Sequence, residues 1–268
     1  MLANFHTHTV WCDGKDTPEA MTLAAIEKGF SRLGFSSHLA FPEGGDGVLD
    51  PARAMDYVRD VRRVAAKYAG QIEVYCGGES DYIPGATTPE KSRYTELGLD
   101  YLIGSVHYAV ADDGARVPVD DTPELLERGI AEHFGGSGRK LVERYFEQQV
   151  FMVGHFDFDV LGHPDLVRKF NEKRPWFDEA ADWYVALEER LAQALAASGK
   201  VTEVNTGAIS RGWLSDAYPS ARFRETLRKY GVKFILSSDA HSAAGLDCAF
   251  DRFGGQEKFL IFPLDKRQ

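Results

Sequence analysis

The sequence predicts an α/β barrel, with parallel strands, each followed by a helix, closed on themselves. Three observations carry this. Short apolar or β-branched runs alternate with helical patterns along most of the 268 residues, as parallel strands covered by helices require. Polar, metal-capable residues stand at the C-terminal end of strand after strand. A closed barrel gathers those ends on one face, where barrel active sites lie, whereas an open sheet would spread them along a line. The length also suits one domain over residues 1–268, because a single α/β barrel routinely runs about 200–250 residues.

The elements follow in order. A strand at 2–5 leads to Thr17-Pro18-Glu19, which supplies a cap, a proline at the first helical position and an acid in the first turn. Gly29 is the natural stop for that helix. After a strand at 32–36, Asp50-Pro51 repeats the device and opens a helix whose apolar face is Met55, Val58, Val61, Ala65 and Tyr68, ended by Gly70. Strands at 72–77 and 101–105 come next. Between residues 112 and 153 the spacing predicts two helices divided at Gly135-Gly136, with Ser137 capping the second. A strand at 159–162 precedes a helix opened by Asp178, with Leu187, Leu191 and Leu195 in i, i+4 steps and Gly199 as its stop. A strand at 201–205, a helix from about Ser220 to Tyr230 and a strand at 233–237 complete the series. Gly44-Gly45 reads as loop punctuation, and no internal repeat is present.

Composition narrows the function. The net charge is −10, which argues against sequence-independent binding of long nucleic acid, since that rests on basic surfaces. No apolar run reaches the ~18 residues of a membrane span. The first residues carry neither a basic region nor a long apolar region of a signal peptide. Three scattered cysteines, Cys12, Cys76 and Cys248, form no disulfide framework. A reducing cytoplasm is the expected location. No Gly-x-Ser-x-Gly elbow and no P-loop is present, which removes support for a serine hydrolase or an NTPase.

The metal-capable residues have a pattern. Strand ends one to seven carry His6-Thr-His8, Ser36-Ser-His38, Gly77-Gly-Glu79, Ser105-Val-His107, Gly162-His163-Pro-Asp165, Asn205-Thr206 and Asp239-Ala-His241. His6 and His8 are i, i+2 on a strand and point the same way, and Asp239 and His241 repeat that geometry. Imidazoles with carboxylates form a mixed N/O set suited to Zn, Fe or Mn. Glu79 has two oxygens and can bridge two ions, and two ions about 3.5–4 Å apart can clamp a phosphoryl group. Each pair alone is weak, but a buried polar cluster of this size costs too much without a cation. His133 reads as a surface residue of a helix and His155 as structural, with His163 preferred because residues 158–161 read as a barrel strand.

These motifs, in this order from residue 5 to 241, resemble the PHP family, the polymerase and histidinol phosphatase domain. The segments Gly104-Ser-Val-His107, Glu132-His-Phe-Gly-Gly136, Leu161–Phe170 as numbered 161–170, and Glu203-Val-Asn205-Thr206 with Arg211 resemble its histidinol-phosphate phosphatase branch. The resemblance implies a distorted (β/α)7 barrel with three divalent transition-metal ions. One ion would take His6, His8, Glu79 and Asp239. A second would share Glu79 and add His107 and His163. A third would take Asp13, His38 and His241. Ser36-Ser37-His38 departs from the Thr-Asp-His common in the family, and some relatives place a histidine where Asp13 stands.

The expected reaction is hydrolysis of a small phosphate ester, L-histidinol phosphate to L-histidinol and phosphate, with Glu79, Asp239 and His241 as its catalytic residues. The ions outweigh the ligand carboxylates, so an acidic chain still presents a positive site to phosphate. Arg168, Lys169 and Arg211 are the candidates to grip the phosphate, and the loops after His38, Glu79 and His107 to select the alcohol. A PHP hydrolase of nucleotides or short oligonucleotides is the first alternative. A metal-dependent amidohydrolase is the second, disfavoured by Glu79 on the third strand. A catalytically silent metal-binding module is the third. The sequence leaves the oligomeric state open.

Overall fold

In a computed structural model of the chain, which describes residues 2–39, 47–254 and 259, seven parallel strands form a nearly closed barrel. The chain order is β1 (Leu2–Asn4), α1 (Pro18–Glu27), β2 (Phe30–Phe35), α2 (Ala54–Lys67), β3 (Glu73–Asp81) and β4 (Tyr101–Ser105). A two-stranded antiparallel hairpin follows, β5 (Tyr108–Val110) and β6 (Arg116–Pro118), then α3 (Pro123–His133) and α4 (Gly138–His155). The remainder is β7 (Val160–Leu161), α5 (Asp182–Ser198), β8 (Val201–Asn205), α6 (Gly207–Ser210), α7 (Ala221–Lys229), β9 (Phe234–Ser237) and α8 (Phe250–Phe253). The barrel strands pair in the order β1-β2-β3-β4-β7-β8-β9. Gly44-Gly45 lies outside the described residues.

The seam between β1 and β9 is closed beyond the strands themselves. Thr7 bridges Ala240 in parallel sense, and the His8 N–H donates to the Ala240 carbonyl at 2.8 Å. Below that bridge the Asn4 amide donates to Ser238 Oγ at 2.6 Å and to the Leu246 carbonyl at 3.0 Å. Side-chain bonds here stand in for ladder bonds, so the buried backbone polar groups stay paired.

Two cores flank the strands. Phe5, Tyr101, Ile103, Val160, Val201 and Ile235 fill the barrel interior, and the Tyr101 hydroxyl donates across it to the Phe5 carbonyl at 2.7 Å. The larger core lies between strands and helices, where Leu187, Leu191 and Leu195 of α5 are buried, each contributing about 1.5–3 kcal/mol. Thr17, Ser137 and Ser220 accept backbone N–H bonds as helix caps, and Gly29 and Gly199 take positive φ at helix ends.

Three details differ from the sequence expectation. On α2 the buried face is Tyr57, Val58, Val61 and Val64, and Met55 is 44% exposed. The α5 helix begins at Asp182, while Asp178 instead accepts from the Ala180 N–H in the preceding turn. The hairpin β5–β6, absent from the expectation, turns at Asp113-Gly114, where Asp113 accepts from the Ala115 N–H.

Candidate metal centre

The barrel brings all nine expected ligands to one mouth. Glu79 lies within β3, which runs past it to Asp81, and His38 pairs with it through an isolated bridge. His107 and His163 follow β4 and β7, Asp239 and His241 follow β9, and Asp13 sits in the loop between β1 and α1. Glu79 is 1% exposed and stands at the centre. Its Oε2 faces His6 Nε2 at 3.2 Å, His38 Nδ1 at 3.1 Å and His8 Nε2 at 3.6 Å. Its Oε1 faces His163 Nε2 at 3.1 Å and His107 Nε2 at 3.7 Å. Asp239 Oδ1 lies 3.2 Å from His8 Nε2, and Asp13 Oδ2 lies 2.9 Å from His241 Nε2.

The ligand atoms gather in four overlapping groups: His8, Asp13, His38 and His241; His6, Glu79 and His163; His6, His8 and Asp239; and His38, Glu79 and His107. The same nine residues are involved as the resemblance implies. His163 groups with His6, and His38 is shared between Asp13 and Glu79. Asp239 takes a positive φ of 50°, a conformation uncommon outside glycine but tolerated by aspartate.

The donor set fits divalent cations. Burial and the charges of His241 and His38 push the His8 imidazole down to about 3, so it is neutral, as a ligand must be. Its Nε2 is buried between two carboxylate oxygens without a hydrogen bond of good geometry. Burial opposes ionisation of Glu79 and Asp239, yet their charged neighbours outweigh it and hold both well below the usual carboxylate range. Those carboxylates demand nearby positive charge. Burial opposes protonation of His107, but Asp81 and Glu79 raise it to about 10. Protons on imidazoles supply that charge in the bare cluster, and metal ions are the alternative source.

A second layer holds the ligands. Both oxygens of Glu203, buried on β8, face His6 Nδ1 at 3.0–3.1 Å. Glu203 also accepts from the His163 N–H at 2.7 Å and the Asn205 amide at 2.8 Å, and from the Ser237 hydroxyl. Asp81 sits 2.6 Å from His107 Nδ1. Ser105 donates to Glu79 Oε1 at 2.6 Å. Such partners fix the imidazole tautomer and aim the other nitrogen at the site. Gly162 is required here, because a Cβ would overlap Ser105 Oγ and come 3.6 Å from Glu79 Oε1.

Above the cluster lies a cavity of about 410 Å³ lined by Lys169 and Arg211 together with the ligands Asp13, His38, His107, His163, Asp239 and His241, within the range of small-molecule sites. Arg211 Nη1 lies 3.3 Å from Asp239 Oδ2, and Nη2 is 3.0 Å from His241 Nδ1. Arg168 is placed elsewhere. Its guanidinium donates to Glu179 at 3.0 Å and to the Ala217 carbonyl and pairs with Asp165, buried away from the cavity lining. Arg168 is expected to grip phosphate, but the structure places it outside the cavity lining, with its Nε and Nη1 donating within the protein.

The PHP domain family matches residues 4–207. The chain belongs to that family. Two relatives named "Probable histidinol-phosphatase" are each 30% identical. That of Schizosaccharomyces pombe aligns over 81% of this chain and 72% of its own, and that of Deinococcus radiodurans over 90% and 86%. A Listeria monocytogenes structure solved as a candidate histidinol phosphatase superposes with a TM-score of 0.83 at 21% identity, covering 94% of this chain and all of that one. A Lactococcus lactis histidinol phosphate phosphatase, solved with zinc, L-histidinol and phosphate, gives 0.67 at 20% identity, covering 90% and 86%. These two likenesses establish the distorted barrel fold.

In this PHP chain, sequence reasoning missed Glu203, Asp81 and Asp120 as contributors to the site. A signal existed for Glu203, because a carboxylate inside a strand buried on both faces needs a partner. His155 is exposed and stacks on Phe151 at the end of α4, and His133 pairs with Asp113 at 2.9 Å. Cys12 Sγ lies 3.5 Å from His8 Nδ1 but belongs to none of the ligand groups among the described residues.

Proposed function

We propose that this chain is a metal-dependent phosphomonoesterase that hydrolyses L-histidinol phosphate to L-histidinol and phosphate, acting in histidine biosynthesis in the cytoplasm as a single domain over residues 1–268. The observation that carries the reading is the nine-residue cluster of imidazoles and carboxylates beneath a cavity that also presents Arg211 and Lys169. The two relatives at 30% identity that carry this activity in their names support the substrate.

His6, His8, Asp13, His38, Glu79, His107, His163, Asp239 and His241 would hold up to three ions of zinc, manganese or iron. When bound, such ions supply a nucleophile from water at neutral pH and offset charge on the phosphoryl oxygens. Glu79 holds the two halves of the cluster together, since each oxygen faces a separate set of imidazoles. Arg211, fixed against Asp239 and His241, presents a planar guanidinium to phosphate oxygens at the mouth. Lys169 adds a second positive charge to the lining of the same cavity.

A panel of phosphate esters assayed with added manganese or zinc tests the reading. Histidinol phosphate should be turned over far better than AMP or p-nitrophenyl phosphate. A preference for AMP or for dinucleotides would reject the histidinol assignment.

A further inference from the structure

Three carboxylates with no place in the ligand groups line the cavity: Asp81, which is held by His107, and the neighbours Asp120 and Asp121. Asp120 follows β6 and lines the cavity, yet belongs to none of the ligand groups. Its position is fixed from two sides. The neighbouring Val119 N–H donates to the His107 carbonyl at 2.9 Å, which ties the end of the hairpin to the end of β4. The buried Lys169 ammonium donates to the Asp120 carbonyl and lies 3.5 Å from its Oδ2. Tyr108, Pro118 and Leu166 give the same cavity an apolar side.

A fixed carboxylate beside a phosphate site carries a cost. It repels the phosphate dianion, and an ester with a neutral alcohol part gains nothing to offset that repulsion. An ester with an ammonium or imidazolium group does, because the cation pairs with the carboxylate while the phosphate meets the metal cluster and Arg211. Discrimination of this kind combines attraction of one ligand with repulsion of the others. We propose that Asp120 is a specificity-determining residue that selects phosphate monoesters whose alcohol part is cationic. The inference rests on the phosphomonoesterase reading above and names its substrate class by charge.

Two esters that differ by one ammonium group provide the test. Metal-loaded native protein should hydrolyse O-phosphoethanolamine with a kcat/KM about 10–100-fold above that for ethyl phosphate, the range a charge-assisted hydrogen bond carries. In Asp120→Asn that ratio should fall close to one, and in Asp120→Glu, which keeps the charge, it should stay above one. An unchanged ratio in Asp120→Asn, with both esters slowed alike, would overturn the proposal and leave Asp120 as a brace for Lys169. Absence of the preference in the native protein would overturn it without any variant. If neither ester nor histidinol phosphate is hydrolysed, the phosphomonoesterase reading fails and takes this inference with it. Activity on both esters without the preference leaves that reading standing and rejects this one alone.

Discussion

Glu203→Gln is the sharpest test of how the metal centre is built, because this residue touches the cluster only through His6 and His163. The change keeps size and shape while replacing one oxygen by an amide NH2. Glu203 accepts from the His163 N–H, the Asn205 amide and the Ser237 hydroxyl, and faces His6 Nδ1 with both oxygens. With that many donors converging, the new NH2 must confront at least one of them. A buried donor left unsatisfied costs about 1–3 kcal/mol. For a chain of this size that lowers the melting temperature by about 2–4 °C per kcal/mol. The loss at the metal is separate: without a full negative charge on Nδ1–H, His6 Nε2 is a weaker ligand, and second-layer changes of this type cost about 10–100-fold in metal affinity or activity. Chelator competition on the native and variant proteins, with thermal melts on the apo forms, reads both terms. Native metal affinity and native kcat/KM in the variant would refute the reasoning.

Three further predictions follow from the geometry. Arg211→Ala should lower kcat/KM for histidinol phosphate and p-nitrophenyl phosphate by similar factors of about 10–100, whereas loss confined to one ester would show that Arg211 reads the alcohol. Arg168→Ala should instead destabilise by about 3–5 kcal/mol, because Asp165 and Glu179 lose their buried partner; denaturant melts check this. Glu188 tests linkage away from the metals: burial raises its pKa, and Arg222 only partly offsets this. Stability from the protonated carboxyl is complete below the ordinary value of about 4.3 and is lost as pH rises through the raised folded value, so the melting temperature of Glu188→Gln relative to native should climb as pH rises above that ordinary value, and a flat difference would contradict the sign.

Much of this architecture is legible in the chain because every barrel strand but β8 repeats one device. An apolar run buried on both faces ends in a polar, metal-capable side chain, so the strand and its site residue announce each other. The caps at Thr17 and Ser137 are equally plain, since side-chain oxygen, proline and glycine act locally. What escaped depends on tertiary contacts. The hairpin β5–β6 has strands of three residues, too short for alternation to stand out, although Asp113-Gly114 is a turn signal. Met55 has the spacing of a buried residue on α2 but lies exposed, while Tyr57 turns inward to donate to the Gly77 carbonyl at 2.8 Å. Arg168 and Lys169 are neighbours of the same charge, and only the fold separates a buried brace from a cavity wall.

The seam between β1 and β9 sets a timetable for biosynthesis. Asn4 and Ser238 meet across 234 positions, and His6 and His8 acquire Asp239 only through the same closure. A ribosome adding about 5–20 residues per second needs roughly 10–50 s to bridge that interval. Through that time the first two imidazoles exist while Asp239 has yet to be made. A nascent chain therefore carries the His6–His8 pair without Asp239 throughout that interval, and the seam can close only after the last strand has been made.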